Sequence, residues 1–155
     1  MANQKLQVQR AVSVVPSDTI SIPDVAKLTV SSAATGTTTN KLVDSGGLFT
    51  TTNLVGVGDI VYNSTDGTIA TVTAVDSATQ LTVSANIMAS GESYSIYRDS
   101  TEGCILYIGT TGNLKVLTAG DDIVTYTAVA VGFFPVHVKK VFSTGTAASN
   151  IIANW

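Results

Sequence analysis

Charged side chains are scarce in this 155-residue chain, 12% of the total, about half the usual fraction. A single cysteine, Cys104, excludes an internal disulfide and any cysteine-based metal site. A single histidine, His137, leaves no second imidazole for a metal or for a relay. Aromatic residues are 6% and tryptophan occurs once, as Trp155, which is thin material for a sugar-binding platform. No apolar run approaches the roughly 20 residues a helical membrane span requires. The start, Met1 to Leu6, lacks the apolar core of a secretory signal, so none is expected. A formal net charge of −3 leaves no basic face for nucleic acid.

What is present is Thr, Val, Ser, Ala and Gly in a period-2 pattern. Leu114 and Val116 alternate with Lys115 and Leu117, and Ile123, Thr125 and Thr127 alternate with Val124, Tyr126 and Ala128. Ala119-Gly120-Asp121-Asp122 punctuates the two. Alternation broken by Gly, Asp and Asn predicts antiparallel sheet throughout. A further strand is expected from Ile105 to Tyr107, and a long one from Phe133 to Phe142. Val138 and Val141 fall on opposite faces of that strand, which predicts a bulge or bend near Lys139-Lys140.

The stretch from Asp24 to Asp99 reads as a self-contained set of five or six short strands. Expected strands are Lys41–Val43, Leu54–Tyr62, Ile69–Val75, Leu81–Val83 and Tyr94–Tyr97, with a hairpin at Asp66-Gly67. Ser31 to Asn40 is low in complexity and is expected to be a surface loop. The fold class is therefore all-β: an antiparallel, jelly-roll-like β-sandwich from residues 1–23 and 100–155, with a small β-barrel inserted at 24–99. Insertions are tolerated where the two ends of a surface loop lie close together.

No arrangement in the sequence carries catalysis. His137 lies between Val136 and Val138 with no partner nearby in sequence, so a polar-face position is expected. Asp121-Asp122 suits a hairpin tip better than paired carboxylates. Gly36 to Lys41 and Gly56-Val57-Gly58 do not fit phosphate-loop spacing, and no Gly-x-Ser-x-Gly elbow occurs. Neither enzymatic activity nor a cofactor or metal is expected. With so little charge, much of the surface is expected to be covered by other subunits. The candidate interface residues are Phe133, Phe134, Ile151, Ile152 and Trp155.

One pattern points further. Cys104, Leu106, Tyr107, Gly109, Gly112, Leu114, Val116, Gly120 and Val124 fit a GCxLYxGTxGxLxVxTAGxDxVTY series. Pro135, Val136, Val138 and Val141 follow in a long strand, and Gly145, Ile151, Ile152, Ala153 and Trp155 fit TGTxAxxIIAxW. The stretch Val14 to Ile20 matches as well. Over about half the chain this resembles small tailed-phage virion structural proteins of the spike-base and capsid-decoration type. The resemblance implies a virion protein on the capsid surface, most simply a decoration (cement) protein. Its implied partners are the major capsid protein and further copies of itself, a trimer being favoured, with neither nucleic acid nor membrane. A head-spike, vertex or tail base carrying a fibre is the alternative, and a carbohydrate-binding module is a reading from another class.

Overall fold

The structure is a computed structural model that describes residues 8–99 and 101–155. The protein is all-β. Thirteen strands form among the described residues, and the helical content is one 3-10 turn, Val25–Lys27. The chain divides into two units, one of residues 8–25 and 102–155 and the other of residues 26–101 with Ser100 outside the description.

The terminal unit contains β1 (Ala11–Ser13), β9 (Cys104–Ile108), β10 (Gly112–Thr118), β11 (Ile123–Val129), β12 (Gly132–Val141) and β13 (Ile152–Asn154). They pair antiparallel in the order β1-β13-β9-β12-β10-β11. The first half of β12 pairs with β9 and its last residues pair with β10. Register shifts occur on both sides of β12, against β10 at Lys139, where the sequence predicts a bulge, and against β9 between Phe134 and Val138. Val138 and Val141 are both buried despite their odd spacing, which the bulge permits. The strand thus carries the sheet from the β9 ladder to the β10 ladder over one shared interior. Tyr126 of β11 and Phe134 of β12 meet edge-to-face against that interior, 4.8 Å between ring centroids. Leu106, Ile108, Leu114, Val116, Val138 and Ile151 fill the interior.

Two glycines deliver the last strand. A Cβ on Gly109 would lie 2.6 Å from the Asn150 Cβ, and one on Gly112 would lie 2.4 Å from the Ala148 amide nitrogen. Only a missing side chain lets residues 147–150 cross this closely, and that crossing brings Ile151 into the core. The Pro16-Ser17-Asp18-Thr19 stretch has a similar positioning role. The Ser17 hydroxyl accepts from the Ile20 amide at 3.0 Å, closing a side-chain turn. Asp18 accepts from the Thr144 amide at 3.0 Å and from its hydroxyl at 2.7 Å, tying down the loop after β12. Those two bonds hold the Asp18 carboxyl below its usual pKa. Ile20 to Ile22 alternates like a strand in sequence but forms none: the Ile22 amide bonds the Lys139 carbonyl, and its side chain plugs the core.

The inserted unit contains β2 (Leu28–Ala33), β3 (Gly36–Thr38), β4 (Lys41–Val43), β5 (Ile60–Asn63), β6 (Thr68–Ser77), β7 (Gln80–Val83) and β8 (Ser93–Tyr97). Their order is β2-β8-β5-β6-β7-β4-β3. The ladders do not close into the barrel expected from the sequence, because β2 and β3 stand at opposite ends with no ladder between them. The chain itself spans the gap: the Ala34 amide donates to the Glu92 carbonyl beyond β8, and the Thr35 amide to the Val43 carbonyl of β4. Side chains from both ends, Tyr94 and Ile96 of β8 and Leu42 of β4, share one core with Phe49, Val61 and Leu81. The sheet is therefore curled around a single interior. Ser31 to Asn40, expected to be a loop, supplies the end of β2 and all of β3.

Candidate functional site

Alternation on β9 sorts its side chains. Cys104, Leu106 and Ile108 are buried, so Ile105 and Tyr107 face outward. The ladder then sets Tyr107 between two neighbours, with Ile152 of β13 opposite it on one side and Phe133 of β12 on the other. The rings of Tyr107 and Phe133 meet edge-to-face at 5.6 Å and 76°. Phe133 is 56% exposed and Ile152 37%. Three apolar side chains from three strands thus lie in one row across the outer face of the sheet. Val131, in the turn before β12, adds another exposed apolar group.

The five residues expected at an interface divide between the two faces. Phe133 and Ile152 point outward in this row. Phe134 and Ile151 point inward and are buried in the protein's own core, because each neighbours an outward residue in a period-2 strand or its approach. Trp155 is half-buried against that core. Tyr107 was missed as an interface residue. Alternation puts it on the same face as Ile105, and only the pairing with β12 and β13 shows that this face is the outer one and sets it beside Phe133 and Ile152.

Trp155 also lines a cavity of about 220 Å³ with Val8, Gly103, Cys104, Ile105, His137 and Asn154. Its indole Nε1 is buried without a hydrogen-bond partner. His137 stands at this cavity beside a thiol of no use as a nucleophile. Burial pushes the Cys104 thiol up to about 12, and its sulfur donates to the Val138 carbonyl at 3.4 Å. Asp121 lies at the β10–β11 hairpin tip with φ of 68° and pairs with Lys139 Nζ at 2.8 Å. No group of three or more His, Cys, Asp or Glu able to hold a metal occurs among the described residues.

The inserted unit has a polar interior contact and a polar hollow. The Tyr94 hydroxyl donates to Asp44 Oδ2 at 2.7 Å, with both residues buried. Burial opposes the charge on Asp44, but bonds from Tyr94, the Gly46 amide and Ser32 outweigh it and hold the carboxyl below its usual pKa. Burial, then the Asp44 charge, pushes the Tyr94 hydroxyl well up. The hollow, about 260 Å³, is lined by Thr37, Asp66, Thr68, Asn86, Ile87, Met88, Ala89 and Glu92. The Glu92 carboxylate raises the pKa of Asp66 beside it. No aromatic ring is among those lining residues, so the stacking surface of a sugar site is not built there.

These elements define an all-β protein with an apolar row on the outer face of its terminal sheet. No family model, curated protein or solved structure matches the chain. The resemblance to phage virion proteins therefore rests on the residues quoted for it.

Proposed function

We propose that this chain is a structural protein of a phage virion, a capsid decoration protein that binds the outer shell and stabilises contacts between capsomers. The observation that carries this reading is the row Ile152–Tyr107–Phe133. A lone exposed leucine is ordinary on a soluble protein, but adjacent apolar groups on three paired strands are a surface shaped for a partner. Low charge supports the same reading, since interface cores are depleted in charged residues and enriched in aromatics. The partner is the major capsid protein, with further copies of this chain beside it. A closed homo-oligomer is the usual solution for such a protein, and a trimer suits a threefold position on a shell. Catalysis has no part in this reading.

Gold-labelled antibody against the chain, imaged on virions of the phage that encodes it, tests the proposal. Label spread over the head is expected. Label confined to one vertex or to the tail would replace decoration by the spike-base or tail-base role. Virions without label would overturn a virion role altogether.

A further inference from the structure

We infer that β11 is a self-association edge, pairing antiparallel with β11 of a second copy about a twofold axis at Thr125. The inference adds a twofold contact between such closed oligomers to the self-association just proposed and rests on that reading.

β11 closes one end of the terminal sheet and has a neighbour, β10, on one side only. Hydrogen bonds on a strand point alternately to the two sides, and the bonds of β10 fix which residues point where. The Lys115 carbonyl accepts from the Phe142 amide, on the side away from β11. The Thr118 amide donates to the Asp122 carbonyl, toward β11. Leu114, Val116 and Thr118 therefore serve β11, and their partners Tyr126, Val124 and Asp122 point back. Ile123, Thr125 and Thr127 are left with their amides and carbonyls on the open edge.

The regular part of that edge, Ile123 to Tyr126, lacks the devices that normally block pairing. Between Ile123 and Val129 there is no charged residue and no proline. The side chains of Ile123, Thr125 and Thr127 are exposed, Ile123 by 62%. The one irregularity, a bulge in which Thr127 and Ala128 stand opposite Asn113 with φ of 50° at Ala128, lies toward the end of the segment and leaves Ile123 to Tyr126 in regular register. The sheet's other edge, β1, is three residues long.

The segment fits itself. Antiparallel pairing centred on Thr125 sets Ile123 against Thr127 of the second copy and Thr125 against its own counterpart. All three are outward-pointing residues on both chains, so each pair exchanges two bonds, about six backbone hydrogen bonds in all. Asp122 then faces Ala128 of the second copy and Asp121 faces Val129, so the aspartates lie at opposite ends and no like charges meet. β-Branched side chains stand opposite one another in the Ile123–Thr127 and Thr125–Thr125 pairs, a favourable cross-strand combination.

The test uses sedimentation and native mass spectrometry of the full chain and two variants. Thr125→Pro removes a donor from the open edge and none from the β10 ladder. Thr125→Lys sets two like charges against each other across the axis. The full chain should form a species with twice the copies of the one that persists in the variants, and both variants should reduce it at least tenfold. The same mass distribution for all three chains would overturn the inference. So would amide exchange at Ile123, Thr125 and Thr127 that does not slow as protein concentration rises. Virions imaged with labelled Thr125→Lys separate the two readings. Label retained on the head with pairing lost upholds both, whereas pairing of the full chain together with virions that carry neither the labelled full chain nor the labelled variant upholds this inference and overturns the proposed function.

Discussion

The two units solve the problem of a small β-domain differently. The terminal unit fills its interior mainly with aliphatic groups, with Asp24 and Asn154 its buried polar residues, and sets apolar groups from three paired strands in one row on its outer face. The inserted unit buries polar ones, Asp44, Asp59 and Asn63, and gives each a partner. Tyr94 bonds Asp44, the Gly56 amide and Arg98 bond Asp59, and Asn63 reaches the Ile87 carbonyl and Glu92. Buried polar groups are costly unless satisfied, so such a network fixes one arrangement and penalises others. A curled sheet with no closing ladder gains most from that, because polar ties hold segments that strand pairing leaves apart. The lesson is that partnered polar groups specify the arrangement of the inserted unit, whereas the terminal unit lines its exposed apolar groups up across paired strands, the row proposed to meet a partner.

The largest expected effects come from the cores. Leu106→Ala in the terminal unit and Leu81→Ala in the inserted unit each remove a fully buried side chain and should cost about 2–5 kcal/mol. Chemical denaturation followed by residue-resolved NMR should show the first loss in signals of β9 and β12 and the second in signals of β6 and β7. Equal loss in both sets of signals from either variant would erase the distinction between the units.

Next in size is the buried polar contact. Tyr94→Phe leaves an Asp44 oxygen without its donor and should cost about 1–3 kcal/mol, read by the same denaturation. The Asp44 carboxyl is held below its unfolded pKa, so its contribution is present above about pH 4 and lost as pH falls through the lower folded value. Asp44→Asn should flatten that acid-side slope in the inserted unit while leaving the terminal unit's pH profile alone. The smallest effect is expected at the Lys139–Asp121 pair, where Asp121 is largely exposed. Lys139→Ala should change stability by about 0.5 kcal/mol or less, within the scatter of thermal melts.

Much of this fold was legible, and the exceptions have physical causes. Period-2 alternation located β9 to β12 within a residue or two, because each strand is buried on one face. Alternation does not say which face is inside, so Phe133 and Phe134 were taken together although they point apart. Ser31 to Asn40 looked like a loop because strands at the end of a sheet need backbone hydrogen bonds and little apolar surface. Leu54 to Tyr62 looked like one strand, yet Leu54 has φ of 45° and the stretch before Ile60 is a loop anchored by the Gly56–Asp59 bond. The apolar row needed strand order, since Ile152, Tyr107 and Phe133 are neighbours only through pairing across long sequence distances.

Binding to capsids by a Phe133→Asp, Ile152→Asp double variant tests the interface most directly. Both side chains lie on the outer face, so the variant should stay folded, at a cost of about 1–2 kcal/mol per site for the lost Tyr107–Phe133 contact and the partly covered Ile152. Copies of the chain bound per particle, counted by quantitative mass spectrometry on shells lacking the native protein, should fall at least tenfold. A folded double variant that binds as many copies as the unaltered chain would contradict the assignment of the outer row as the capsid-binding surface.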